Sequence, residues 1–160
     1  MSGFTAAGIS KDLVSTTQQA PLGFRLTVPN GDKGFQVYTY IKTTVAVTQG
    51  QCLMKAGDDY SACLASTTGN GMRAVGVVQQ ANTQTGTKAL LAGDYAFVLT
   101  EGYGTVQTGQ GSAIGAQLVL YGSGLLTGGT AASATNIPVG HVGAAAVNTA
   151  VGTAYVKFLG

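Results

Sequence analysis

From Pro21 onward the chain alternates apolar and polar residues in short runs broken by glycine. Gly23-Phe24-Arg25-Leu26-Thr27-Val28 is one such run, and Phe35-Gln36-Val37-Tyr38-Thr39-Tyr40-Ile41 is another. Period two sends successive side chains to opposite faces, so both runs predict strands. Between them stands Pro29-Asn30-Gly31-Asp32, which supplies turn chemistry and predicts a hairpin closed over Asn30-Gly31. The same reading predicts a short approach strand over 45–49 and a hairpin pairing 52–55 with 62–65. Further strands are predicted over 73–80, 94–100 and 105–108, the last two separated by a bend or bulge at Glu101-Gly102-Tyr103-Gly104. Strands over 117–121, 125–127, 139–145 and 154–159 complete the set. Segments 67–71, 82–88 and 128–136 read as loops. The alanine stretches at 132–134 and 144–146 are flanked by glycine, proline and valine, which argues against helices there. Many short strands with glycine punctuation predict an all-β fold. The expectation is a compact barrel or tulip-like β-domain over residues 21–160.

Residues 1–20 differ. They carry small and polar side chains with no sustained period, and read as an N-terminal arm. Ser10 could cap a short helix at Ser10-Lys11-Asp12-Leu13-Val14, but the following Ser-Thr-Thr-Gln-Gln run propagates one poorly. Phe4, Ile9, Leu13 and Val14 are apolar residues in a segment without its own core pattern. They are expected to reach a neighbouring subunit.

Within the β-domain, three landmarks occur twice in the same order. Gly50-Gln51-Cys52-Leu53-Met54 returns as Gly115-Ala116-Gln117-Leu118-Val119. Val75-Gly76-Val77-Val78 returns as Val139-Gly140-His141-Val142. The run Gly93-Asp94-Tyr95-Ala96-Phe97-Val98-Leu99 has a counterpart in Gly152-Thr153-Ala154-Tyr155-Val156-Lys157-Phe158. The order predicts one β-unit used twice. Two copies are too few for a solenoid, so they are expected to form two related parts of one domain.

Composition changes the picture in one respect. Charged residues make up 9% of the chain, against roughly 25% in an ordinary soluble domain. Charge is depleted in interface cores, so the deficit suggests a surface covered by neighbouring subunits. The other reading is a surface rich in threonine and glutamine, polar without being charged. The net charge is +2, with lysines and arginines scattered; no basic stripe points to nucleic acid. No apolar run approaches the roughly 20 residues of a membrane span. Met1-Ser2-Gly3-Phe4-Thr5 lacks the basic and apolar regions of a signal peptide, which predicts synthesis and folding in a cytoplasm. If 56–59 is a hairpin turn, Cys52 and Cys63 fall opposite each other and a cross-strand disulfide is conceivable. A reducing compartment favours two free thiols instead.

Little in the chain looks like chemistry. The single histidine, His141, lies in a predicted strand, where period two places it on one face with Val139 and Gly143. No partner for a nucleophile–base arrangement is visible beside it. Asp58-Asp59 falls in a turn, where aspartate bonds the local backbone. The acidic residues do not follow a calcium-loop spacing. Gly109-Gln110-Gly111-Ser112-Ala113-Ile114-Gly115 has one residue too many for a dinucleotide loop and precedes a strand, not a helix. No catalytic, metal or cofactor residues are assigned, and an enzyme is the least favoured class. The tyrosines can stack on sugars, although packing is their commoner use in strands.

Several segments resemble a known family. Pro21-Leu22-Gly23-Phe24-Arg25-Leu26, followed by Asp32-Lys33-Gly34-Phe35-Gln36-Val37-Tyr38 and Val47-Thr48-Gln49-Gly50-Gln51-Cys52-Leu53, looks like the start of small phage structural proteins. Arg73-Ala74-Val75-Gly76-Val77-Val78-Gln79-Gln80-Ala81 and Ile137-Pro138-Val139-Gly140-His141-Val142-Gly143 are similar to a glycine-centred strand of capsid decoration, or cement, proteins of tailed bacteriophages. The resemblance implies no cofactor and no catalytic residue. It implies a virion protein on the capsid exterior, made in the host cytoplasm, with the major capsid protein as partner. It also implies homo-oligomers, often trimers, and contacts that staple adjacent capsomers. Alternatives are another β-type virion component (tail, fibre or head–tail connector) and a small carbohydrate-binding module.

Overall fold

The computed structural model describes residues 5–6, 8–64, 73–79, 89–109, 113–129, 138–143 and 151–158. Fifteen strands run through them: β1 (Thr5–Ala6), β2 (Ile9–Ser10), β3 (Val14–Ser15), β4 (Arg25–Pro29), β5 (Phe35–Thr43), β6 (Val47–Thr48), β7 (Cys52–Lys55), β8 (Ser61–Leu64), β9 (Ala74–Val77), β10 (Ala89–Leu90), β11 (Tyr95–Gln107), β12 (Gln117–Gly122), β13 (Leu125–Gly129), β14 (Pro138–Val142) and β15 (Val151–Lys157). Among the described residues, no helix is long and apolar enough to cross a membrane. The alanine stretches at 132–134 and 144–146 lie outside the described residues.

The all-β expectation holds. Five strands close a barrel in the order β11, β9, β7, β8, β5 and back to β11. All its pairings are antiparallel except that of β5 with β8, which is parallel. Each of these strands sends at least one side chain inward: Ile41, Leu53, Ala62, Val75 and Val98 meet in one buried cluster. A second layer continues from β11 through β15, β14 and β12 to β13. A parallel bridge from Thr108 to Leu126 brings the far edge of that layer back to the end of β11.

The predicted hairpin between β4 and β5 is present, with Leu26 opposite Tyr38 and Val28 opposite Gln36. Its connection is a short 3-10 turn at Gly31–Lys33 in place of a two-residue turn. Asn30 donates its backbone N–H to the Gly34 carbonyl at 2.7 Å. The two strands predicted over 94–100 and 105–108 are one strand, β11. Its register against β5 shifts between Leu99 and Glu101. The glycines at 102 and 104 therefore do not interrupt the ladder. They let one long strand leave the barrel and serve a second sheet, with Tyr95–Glu101 paired to β5 and Glu101–Gln107 paired to β15. The Gln79 side chain holds the second half in place. It donates to the Thr105 carbonyl and accepts from the Thr105 N–H, both at 2.8 Å.

The duplicated unit is visible at the level of register. In the first unit Cys52 faces Val77, Leu53 faces Gly76 and Met54 faces Ala74, so Val75 is skipped in a bulge. In the second, Gln117 faces His141, Leu118 faces Gly140 and Val119 faces Pro138, so Val139 is skipped at the corresponding place. The entry to each unit repeats as well. Gly50 and Gly115 both take positive φ, at 87° and 79°. Gly50 donates to the Val78 carbonyl at 2.7 Å and Gly115 to the Val142 carbonyl at 2.8 Å; Val78 and Val142 return bonds to Gln51 and Ala116 at 3.0 and 2.9 Å.

The bulge alters which side chains point inward. Two consecutive residues, Val75 and Gly76, stay on the barrel side, and Val77 points out. Only glycine fits the second of these positions. A Cβ on Gly76 would stand 2.7 Å from the Leu99 oxygen, and one on Gly140 would stand 2.0 Å from the Tyr155 oxygen. Strict period two, which placed His141 on one face with Val139, is thereby corrected. Val139 and Val142 are both buried while His141 is exposed.

The two units pack one on the other. Tyr40, Cys52, Val77, Phe97 and Leu99 on the barrel's outer face share a cluster with Leu118, Leu126, Val139, Val142 and Val156 of the second layer. Tyr40 and Phe97 lie in ring contact there, with centroids 4.9 Å apart. Fully burying a side chain such as Phe97 is worth about 1.5–3 kcal/mol. This shared face is what joins two sheets into one domain.

The cysteines remain free thiols, Cys52 buried and Cys63 half-buried. Cys63 faces Met54 across the ladder, so Cys52 is displaced from it by two residues. Diagonal neighbours of that kind lie about 7–8 Å apart, beyond the span of a disulfide.

Candidate functional site

The outer faces of the two units have different fates. In the first, the outward pair Cys52 and Val77 is fully buried under the second unit. In the second, the equivalent pair is Gln117 and His141, and both are exposed. The same scaffold position is a packing surface in one copy and a solvent-facing surface in the other. Side chains there are released from core duty.

Those side chains line up. Tyr103 on β11 faces Tyr155 on β15, Tyr155 faces His141 on β14, and His141 faces Gln117 on β12. The row thus crosses four strands. His141 stacks on Tyr155 with ring centroids 5.3 Å apart and an interplanar angle of 16°. Tyr103 stands edge-on to both, at 5.4 Å from Tyr155 and 6.0 Å from His141. The Tyr103 hydroxyl and His141 Nε2 are 3.3 Å apart. Cross-strand aromatic pairs of this kind add about 0.5–1.5 kcal/mol beyond the area they bury.

Charges fix Tyr155 within the row. The Tyr155 hydroxyl donates to Glu101 Oε1 at 3.2 Å, and Lys157 Nζ lies 3.1 Å from the same oxygen. The hydrogen bond from Lys157 is the main cause holding the Glu101 carboxyl below its usual range. Burial, and then the Glu101 charge, push the Tyr155 phenol up. The pair is solvent-exposed, so its contribution to stability is small.

At the Tyr103 end of the row a cleft of about 470 Å³ opens between Tyr103, the turn residues Asp32 and Lys33, and Gly143 and Thr153. Lys33 Nζ stands 5.9 Å from the Tyr103 ring centroid. Gln36 anchors the base of the hairpin to β11 by donating from its side-chain amide to the Tyr103 carbonyl at 2.6 Å. Gly143 keeps the floor low. A Cβ there would lie 3.1 Å from the Tyr103 ring and 3.3 Å from the Thr153 oxygen. The cleft offers an aromatic wall, one carboxylate, one ammonium and a hydroxyl.

Of the four apolar residues of the N-terminal segment, the three described ones do not gather into one exposed patch. Phe4 lies outside the described residues. Ile9 is half-buried and packs against the large shared cluster, and Leu13 is half-buried. Val14 faces Ala96 on β11 and belongs to the barrel's inner cluster at 7% exposure. The Ser10 to Leu13 segment is a turn, closed by a 3.0 Å bond from Leu13 N–H to the Ser10 carbonyl. The residues of the aromatic row escaped sequence reasoning as a group. The available signal was the repeat itself, which pairs exposed His141 with buried Val77.

No protein-family model matches the chain. No curated protein matches it either. Among solved structures, the fold is similar to the N base of the head fiber protein gp8.5 of bacteriophage phi29. The likeness has a TM-score of 0.53 at 16% sequence identity, covering 76% of this chain and 94% of that one. It defines the class at the level of the β-fold.

Proposed function

We propose that the chain is a structural virion protein that binds the outer surface of an icosahedral phage head and stabilises contacts between major capsid protein subunits. The observation that carries this reading is the fold likeness to a phage head fiber base across 94% of that chain. The charge content of 9% supports it, because low charge suits a surface that is covered in an assembly. Exposed Phe35, Ile114 and Val151 give such a surface apolar anchors.

The mechanism is mass action. A protein that binds only the assembled lattice stabilises it by its binding free energy at every site. Homo-oligomerisation, as a trimer on a three-fold position, adds avidity without any new contact. The N-terminal segment, with Phe4, Ile9 and Leu13, is the proposed reach toward a neighbour. Val14 is set apart from these, because its side chain already serves the barrel interior.

A second reading has its own support. The similar structure is described as the base of a head fiber, so the chain can be the capsid-anchored base of a projecting fibre. Cryo-electron microscopy of the source particle separates the two. Discrete density bridging capsomers supports the decoration protein, and density at the root of a projecting shaft supports the fibre base. Density confined to the tail overturns both.

A further inference from the structure

We propose that the cleft beside Tyr103 is a binding site for a neutral saccharide. The inference is independent of attachment to a capsid, because it concerns the opposite requirement: a face left open to solvent. Tyr103 is half-buried and held edge-on against Tyr155 and His141. It is thus a fixed aromatic wall, which a pyranose ring can meet with its apolar C–H face at little cost in side-chain freedom. The rim supplies what sugar hydroxyls require. The Asp32 carboxylate accepts, the Lys33 ammonium donates, and Thr153 carries a hydroxyl that does either.

Size and charge narrow the ligand class. A volume of about 470 Å³ lies within the roughly 300–1,000 Å³ of small-ligand clefts. Among the described residues one acid and one base line it, so neither a phosphate nor a polycation is selected by charge. A lipid chain or an apolar helix face would leave Asp32 and Lys33 desolvated and unpaired. An uncharged ligand with one apolar face and a rim of hydroxyls satisfies all these groups together. The glycine at 143 strengthens the assignment, since any side chain there would press on the ring and the Thr153 backbone.

The repeat supplies the second, independent observation. The outward positions Cys52 and Val77 are apolar and covered in the first unit. Their counterparts Gln117 and His141 extend the aromatic row as exposed polar side chains. The second copy has replaced packing groups with hydrogen-bonding ones on a face that no described residue covers.

The test is nuclear magnetic resonance on the full chain, titrated with cellobiose, maltose and N,N′-diacetylchitobiose. The first two stand for β- and α-linked glucans and the third for amino-sugar polymers. The expected result is a saturable shift of the Tyr103, Tyr155 and His141 ring signals with at least one of them. Tyr103→Ala should weaken that binding by about tenfold, and Tyr103→Phe should keep most of it. Asp32→Ala and Lys33→Ala, on the exposed turn, test the rim without touching the core. The proposal is overturned if all three saccharides leave these rings unmoved, or if Tyr103→Ala binds as well as the wild type. It is equally overturned if Tyr103→Ala loses attachment to phage heads while no saccharide binds, since the face is then a protein-docking surface.

Discussion

Gly140→Ala is expected to be among the most damaging single-methyl additions to this domain. Gly140 sits between two strands, facing Leu118 on one side and Val156 on the other. An alanine Cβ would stand 2.0 Å from the Tyr155 oxygen, and 2.9 Å from both the Tyr155 carbonyl carbon and the Val156 Cα. All three are backbone atoms, so no rotamer change relieves the clash. β14 must move away from β15, where Gly140, His141 and Val142 make the pairing. Overpacking of this kind costs about 1–3 kcal/mol, and losing about two ladder hydrogen bonds, at about 1 kcal/mol each, adds about 2 kcal/mol. The sum, about 3–5 kcal/mol, is a large share of a total stability of about 5–15 kcal/mol. It corresponds to a fall in Tm of roughly 6–20 °C for a chain of this size. Gly115→Ala is the control, because nothing lies within 4 Å of its Cβ position and only its φ of +79° opposes the change. That cost is about 1–2 kcal/mol. Urea unfolding followed by tyrosine fluorescence and circular dichroism measures both, with the slope checked for constancy. A Gly140→Ala midpoint no lower than that of Gly115→Ala would refute the reasoning, and with it the close approach of β14 and β15.

Val14→Ala should destabilise the isolated chain by about 2 kcal/mol, since it removes two buried carbon groups from the barrel interior; an unchanged urea midpoint would show that Val14 is not part of the core. A thiol reagent should modify Cys63 promptly in the native protein and Cys52 only on unfolding, because burial both shields the Cys52 thiol and raises its pKa. Two fast-reacting thiols would contradict that placement. Glu101→Gln should lower stability slightly at neutral pH and not at all in acid. The Glu101 carboxyl is depressed below 4.5 chiefly by its bond from Lys157, so the wild-type advantage is present above that pH and is lost as pH falls through the depressed value. Equal stability of the two proteins at neutral pH and low salt would remove the ion pair from the account.

Period two and turn chemistry were enough to place the β4–β5 and β7–β8 hairpins, because both properties are local. Tyr38, Tyr40 and Leu26 alternate as their faces demand, and Asn30-Gly31 stands where the chain reverses. The fate of Glu101-Gly102-Tyr103-Gly104 was not local. Glycine both ends strands and lets them coil, and only the pairing partner decides between these uses. Here β5 and β15 claim successive halves of the segment, so a stretch read as a bend or bulge is the point, marked by a register shift, where one strand passes from one sheet to the other. The burial of Val14 was not local either. Val14 carries no period of its own, and its burial comes from Ala96, far along the chain.

The duplication was legible as three glycine-bearing landmarks, but its meaning was not. A β-bulge inverts the faces beyond it, and no propensity marks where one falls. Val75-Gly76 and Val139-Gly140 mark it only in hindsight, as a bulky residue followed by the one residue that a crowding neighbour strand admits. Once the bulge is placed, the two copies explain each other. Burial of Val77 under the second unit uses up the first copy's outer face. The second copy's outer face is not used in this way: Gln117 and His141, which hold the corresponding positions, are exposed. An apolar residue at position 141 would leave an exposed hydrophobic row beside Tyr103 and Tyr155, a surface prone to unwanted association. Histidine and glutamine resolve that problem, and in doing so they turn a spare packing surface into one able to form hydrogen bonds.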